Sequence, residues 1–108
     1  MFNKSNMLGM LKQAKQAKKQ LKKVQKEIDR MVFKGSSSDG SVEATVNGKL
    51  VFTYLELDDY YSQQDLNTQK NMIKIAINNA IASAQKTTQD KMNSVTGGML
   101  GDMNIPGL

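Results

Sequence analysis

Cysteine, histidine and tryptophan are absent from this chain, and proline occurs once in 108 residues. Without cysteine there is no disulfide framework, no thiolate nucleophile and no thiolate zinc site. Without histidine the usual general base and commonest metal ligand are missing as well. These two absences remove most hydrolytic, acyl-transfer and metal-dependent chemistry. No catalytic residue, metal site, cofactor or small-molecule substrate is expected. Long apolar runs are missing too. The longest early run, 7–11, is interrupted by Gly9 and is too short for a signal-peptide core. No window approaches the ~18 apolar residues of a spanning helix. The expectation is a soluble cytoplasmic protein with no membrane partner.

What the chain has is positive charge, unevenly placed. Fifteen Lys and Arg stand against ten Asp and Glu, for a net charge of +5. Residues 1–34 hold ten of the cations and two acids, Glu27 and Asp29. Residues 35–61 reverse the sign, with Lys49 against Asp39, Glu43, Glu56, Asp58 and Asp59. Residues 62–92 are again mildly basic. A basic balance of this kind favours an anionic partner, and the outer segments carry it.

Residues 5–31 read as one helix. Apolar side chains recur at Met7, Met10, Ala14, Ala17, Leu21, Val24, Ile28 and Met31, the alternating three-and-four spacing of a heptad seam. At 1.5 Å per residue the helix is about 39 Å long. A rod of that length outreaches any small sheet, so much of it should project. The lysines take the other side: Lys12, Lys19 and Lys26 share one heptad position, Lys15 and Lys22 a second, Lys23 and Arg30 a third, and Lys18 a fourth. No acid lies between Lys12 and Lys26. Like charges three and four residues apart repel and weaken a helix, so a merely solvated face would mix its signs. The row reads as an anion-binding surface.

The period then changes. Residues 32–34 form a short strand ending at Gly35, residues 42–46 alternate as a second, and 49–57 return as a third. Asn47-Gly48 is the strongest short hairpin signal and implies a two-residue turn. Val46 then pairs with Lys49, Ala44 with Val51 and Val42 with Thr53. One face shows Val42, Ala44, Val46, Val51, Leu55 and Leu57 and needs a helix over it. The other centres on Leu50, Phe52 and Tyr54, too apolar to stay in water, which makes these three the expected dimer interface. A second long helix covers about 65–95 and ends at Gly97-Gly98. Its projecting half carries Lys86 and Lys91. Of the eight methionines, Met7, Met10, Met31 and Met92 fall on seam or stripe positions, as core filling, and two lie in the tail. Asp58-Asp59 beside Glu56 reads as a turn and a helix-start charge rather than a cation site. Residues 1–95 make one domain and 96–108 a flexible Gly/Met tail.

Membrane and nucleic acid compete for the basic helix. A membrane-surface helix needs bulky apolar residues opposite its cations, and the seam centre here is Ala14 and Ala17. Phosphates need only spaced cations. Lys is a point-charge phosphate binder and Arg30 is the only arginine, so binding should be dominated by the DNA backbone and weakly specific. The candidate contacts are Lys12, Lys15, Lys18, Lys19, Lys22, Lys23, Lys26, Arg30, Lys86 and Lys91.

Five segments stand in a telling order: Met-Leu-Lys-Gln-Ala-Lys-Gln (10–16), Gly-Ser-Val-Glu-Ala-Thr-Val-Asn-Gly (40–48), Leu-Glu-Leu-Asp (55–58), Ala-Ile-Asn-Asn-Ala (76–80) and Asp-Lys-Met-Asn-Ser-Val-Thr-Gly-Gly-Met (90–99). In this order and spacing the chain resembles the YbaB/EbfC family of bacterial nucleoid-associated proteins over nearly its whole length. The resemblance implies an α+β, two-layer fold of helix, three antiparallel strands and helix. It implies a homodimer joined through the sheet region, with long helices projecting like tweezers, and double-stranded DNA as partner. Family members commonly have Pro where this chain has Asp59, and a first helix of mixed charge where this one is nearly all lysine. The expected function is non-enzymatic: organising the bacterial chromosome in the nucleoid and influencing gene expression. The alternative is a coiled-coil adaptor for an acidic protein partner.

Overall fold

The heptad seam folds as its spacing requires. In the computed structural model, which describes the backbone of residues 4–101 and the side chains of 8–95, helix α1 spans Lys4–Asp29. Strands β1 (Val32–Ser36), β2 (Val42–Asn47) and β3 (Phe52–Leu57) follow, then a short helix α2 (Asp59–Ser62) and the long helix α3 (Leu66–Gly101). The sheet is antiparallel in the order β1-β2-β3. The molecule is elongated, 72 × 28 × 15 Å, because both long helices outrun the sheet.

Helix α1 stops two residues short of the expected end. Arg30 and Met31 donate their N–H groups to Glu27 and Ile28 at 3.2 and 3.0 Å, a tightened last turn that swings the chain into β1. The Met31 carbonyl then accepts the Gly48 N–H at 3.1 Å. This bond ties the root of α1 to the β2–β3 turn. Ile28 is fully buried there. A methyl group on Gly48 would overlap the Ile28 carbonyl oxygen, so glycine is needed for close approach. β1 in turn runs through Gly35 to Ser36 rather than ending at Gly35. Gly35 lies against the backbone of α3 at Ala76 and Ala80, where any side chain would hold the layers apart.

The hairpin turn departs from the two-residue expectation. The Asn47 Oδ1 accepts the N–H groups of Lys49 (2.9 Å) and Val51 (3.1 Å), and the Asn47 carbonyl accepts that of Leu50 at 2.9 Å. A three-residue loop results, with Leu50 at φ +64°, the left-handed position glycine usually fills. The longer loop resets the register: Val42 faces Leu57 and Ala44 faces Leu55. The displacement is even along that stretch, so Leu55 keeps its expected face. Nearer the turn, Thr45 faces Tyr54 but Val46 faces Phe52. This bulge leaves Thr53 over, and its hydroxyl donates to the Thr45 carbonyl at 3.3 Å.

The core is small. Phe33, Val42, Ala44 and Val46 from the sheet meet Met72, Ala76, Ala80 and Ala84 from α3. Three alanines at four-residue spacing form a flat stripe, which lets the helix backbone lie close on β1 and β2. β3 is not covered in the same way: Val51 and Leu57, expected beneath a helix, are exposed. A helix about 10 Å across spans roughly two strands spaced about 4.8 Å apart, not three.

Helix α3 also continues past its expected stop. It runs through Gly97-Gly98 to Gly101, so residues 96–101 are helix rather than tail. Glycine costs about 1 kcal/mol relative to alanine in a helix but does not break it, and no proline follows before Pro106. The remainder of the expected tail, 102–108, lies outside the described residues.

Aspartates start both C-terminal helices. The Asp58 Oδ1 accepts the Tyr61 N–H at 3.2 Å, and the Asp65 Oδ1 accepts the Thr68 N–H at 3.1 Å. Hydrogen bonding to Thr68 holds the Asp65 carboxyl below the ordinary aspartate range. In the β1–β2 loop, Ser41 and Ser37 do the same for Asp39. A depressed carboxyl stabilises the fold above its unfolded pKa, near 4, and loses that contribution as pH falls through the folded value. Asp65→Ala is therefore expected to lower the melting temperature at pH 7. The gap between the variant and the parent should close as melts are taken below about pH 4.

Candidate nucleic-acid interface

The geometry of α1 turns the lysine spacing into a surface. Lys12, Lys15, Lys18, Lys19, Lys22, Lys23 and Lys26 are all exposed. The one ion pair among the described residues, Lys34–Glu43 at 3.5 Å, involves none of them. The row from Lys12 to Lys26 spans about 21 Å at helical rise. Duplex DNA presents one phosphate charge per ~1.7 Å of its axis, so such a row can meet several phosphates without bending either partner. Arg30 is exposed just past the helix, at the arm's root. Lys86 is exposed on α3, whereas Lys91 is half-buried. The structure brings the seven α1 lysines together on one surface; Lys86 and Lys91 lie on the other helix.

The seam opposite the lysines is only partly used. Helix α1 touches α3. Ala17 and Val24 are half-buried and Ile28 is fully so, and on α3 the half-buried positions beyond Ala84 are Thr87, Thr88, Lys91, Met92 and Val95. Met10 is 59% exposed, so it fills no core in this chain. Met72 is the buried methionine and Met31 packs partly against the core.

The other surface is the β3 edge. Leu50, Phe52 and Tyr54 are all exposed, Phe52 by 44%. Leu57, Tyr60 and Leu66 are exposed as well, Leu57 on the face of β3 that pairs with buried Val42. The shallow hollow lined by Gly40, Ser41, Glu43, Glu56, Leu57 and Asp58 is acidic and disfavours a polyanion. Asp58 is occupied in capping α2.

A two-layer helix–three-strand–helix fold that projects an exposed row of lysines can offer that row to a polyanion. The comparisons agree. Residues 3–99 match the YbaB/EbfC DNA-binding family, and the chain belongs to it. A curated relative, a nucleoid-associated protein of Chlorobium chlorochromatii (strain CaD3), is 37% identical over 105 residues, covering 93% of this chain and 89% of that protein. A crystal structure of an uncharacterized protein from Helicobacter pylori shares the fold, with a TM-score of 0.56 at 20% identity, over 93% of this chain and 99% of that one. No helix among the described residues is long and apolar enough to cross a membrane.

Proposed function

We propose that this protein acts as a single non-enzymatic domain that binds duplex DNA as a homodimer and organises the bacterial chromosome within the cytoplasmic nucleoid, influencing gene expression as it does so. The observation that carries this reading is the α1 lysine row, exposed and without an acidic partner among the described residues. Contacts from lysine go to phosphates, which hold no sequence information. A mobility-shift titration against unrelated duplexes at two salt concentrations tests it. Similar affinities are expected, falling with a log–log slope of about −0.9 per phosphate contact. No shift at physiological salt would favour the adaptor reading, with an acidic protein as partner.

Dimerisation through β3 is supported by its unpaired edge and its exposed side chains. An open apolar edge strand left in water invites aggregation. Phe52→Asp is expected to shift the protein to monomer or unfolded chain, because the pairing would bury an unpaired charge. Sedimentation of a stable Phe52→Asp dimer would exclude this face.

A further inference from the structure

Leu8 and Leu11 stand where the pattern of α1 otherwise places lysine. In a heptad, a residue seven positions on returns to the same face. Leu8 thus shares its face with Lys15 and Lys22, and Leu11 with Lys18. The apolar seam at Met10, Ala14, Ala17, Leu21, Val24 and Ile28 lies across the helix from Leu8, and Leu11 stands at the border between that seam and the cations. Both leucines are open to solvent, 59% and 57%, so neither contributes packing to the chain. Between them a Cβ on Gly9 would have nothing within 4 Å, and the backbone there is bare on the outside. Single exposed leucines need no explanation. A pair set between Lys4 and Lys12, in register with the cations, is different: a polyanion seated on the row meets the leucines just beyond Lys12.

We propose that Leu8 and Leu11 form an apolar wedge that enters duplex DNA between base pairs at the end of the α1 lysine row. The inference rests on the DNA reading above and deepens it. Lysines alone hold phosphates but offer nothing to the bases. Leucine is among the side chains that architectural proteins insert between base steps, kinking the duplex by about 20–90°. The lysines from Lys12 onward would hold the helix against the backbone while the leucines open a neighbouring step. Pyrimidine–purine steps unstack most easily, so the wedge adds a mild preference for them without any base-edge hydrogen bond. A lipid surface fits less well, since the face behind the two leucines is cationic for its whole length and the seam that might follow them is centred on Ala14 and Ala17.

The test uses the full chain and a duplex with 2-aminopurine at a TA step, whose fluorescence rises on unstacking. Wild-type protein is expected to raise the signal severalfold as it binds. Leu8→Ala/Leu11→Ala should lose the rise and bind about tenfold more weakly, with its salt slope unchanged because no phosphate contact is lost. Leu8→Lys/Leu11→Lys should steepen the slope and still give no rise. Circular dichroism of both variants checks that the exposed changes leave the helix intact. Wild-type protein that binds with its salt slope but leaves the fluorescence flat overturns the wedge while leaving the phosphate reading standing. Absence of any salt-dependent binding overturns both. An alanine pair that keeps the rise, that dissociates the dimer in sedimentation, or that instead loses binding to phosphatidylcholine–phosphatidylserine vesicles also overturns it.

Discussion

Replacing Lys15, Lys19, Lys22 and Lys26 together by glutamine is expected to weaken DNA binding by about a thousandfold near 0.15 M salt and to flatten the salt slope by about 3.6 for each protomer engaged. The figure follows from counterion release, which at that salt is worth roughly a factor of five per phosphate contact. Glutamine keeps a helix propensity close to lysine. The change also removes like-charge neighbours one turn apart, so α1 should be no less helical. The loss should be similar on unrelated sequences. A quadruple variant that folds normally and binds unchanged would remove this face from the interface. A loss confined to one sequence would move attention to base contacts and to Lys86 and Lys91 on α3.

The largest effect on stability is expected at the two glycines that carry the close approaches. Gly48→Ala would drive a methyl group into the Ile28 carbonyl, and Gly35→Ala into the α3 backbone at Ala76 and Ala80. Backbone cannot swing aside as a flexible side chain can. Each variant is expected to lose about 3 kcal/mol or more in urea unfolding, beyond the ordinary range of a single substitution. Gly9→Ala is the control. Its Cβ meets nothing, and alanine in an exposed helix interior is worth about 0.5–1 kcal/mol over glycine. Destabilisation by Gly9→Ala equal to that of Gly48→Ala would show the collisions to be irrelevant.

The element order was legible because each element obeys a local rule. The three-and-four spacing from Met10 to Ile28 marks α1, the alternation from Val42 to Val46 marks β2, and the Ala76–Ala80–Ala84 stripe marks the face of α3. The cation row was legible for the same reason, since exposure follows once the seam is known. What failed to show locally depends on residues distant in sequence. Asn47-Gly48 carries the signature of a two-residue turn, yet Gly48 donates to the Met31 carbonyl just past α1 and packs on the Ile28 carbonyl, while Asn47 caps a longer loop. Gly97-Gly98 looks like a stop, but nothing local says whether the helix tolerates two glycines. The uncovered state of Val51 and Leu57 depends on the width of α3, which no pattern in β3 encodes.

The lysine row also fixes how the free protein answers its ionic surroundings. Lys15 and Lys19, Lys19 and Lys23, and Lys22 and Lys26 stand one turn apart, with no acid anywhere from Lys12 to Lys26. Dissolved ions that screen this repulsion firm up the unbound helix, while the same ions compete with it for DNA. On the proposed function, DNA phosphates seated on the row would supply the missing counter-charge directly. Because the duplex favours the ordered helix over the frayed one, it stabilises that helix as it binds. On the proposed function, salt and DNA are thus interchangeable for the rigidity of the arm and opposed for its occupancy, and the chromosome would serve as the arm's resident counterion.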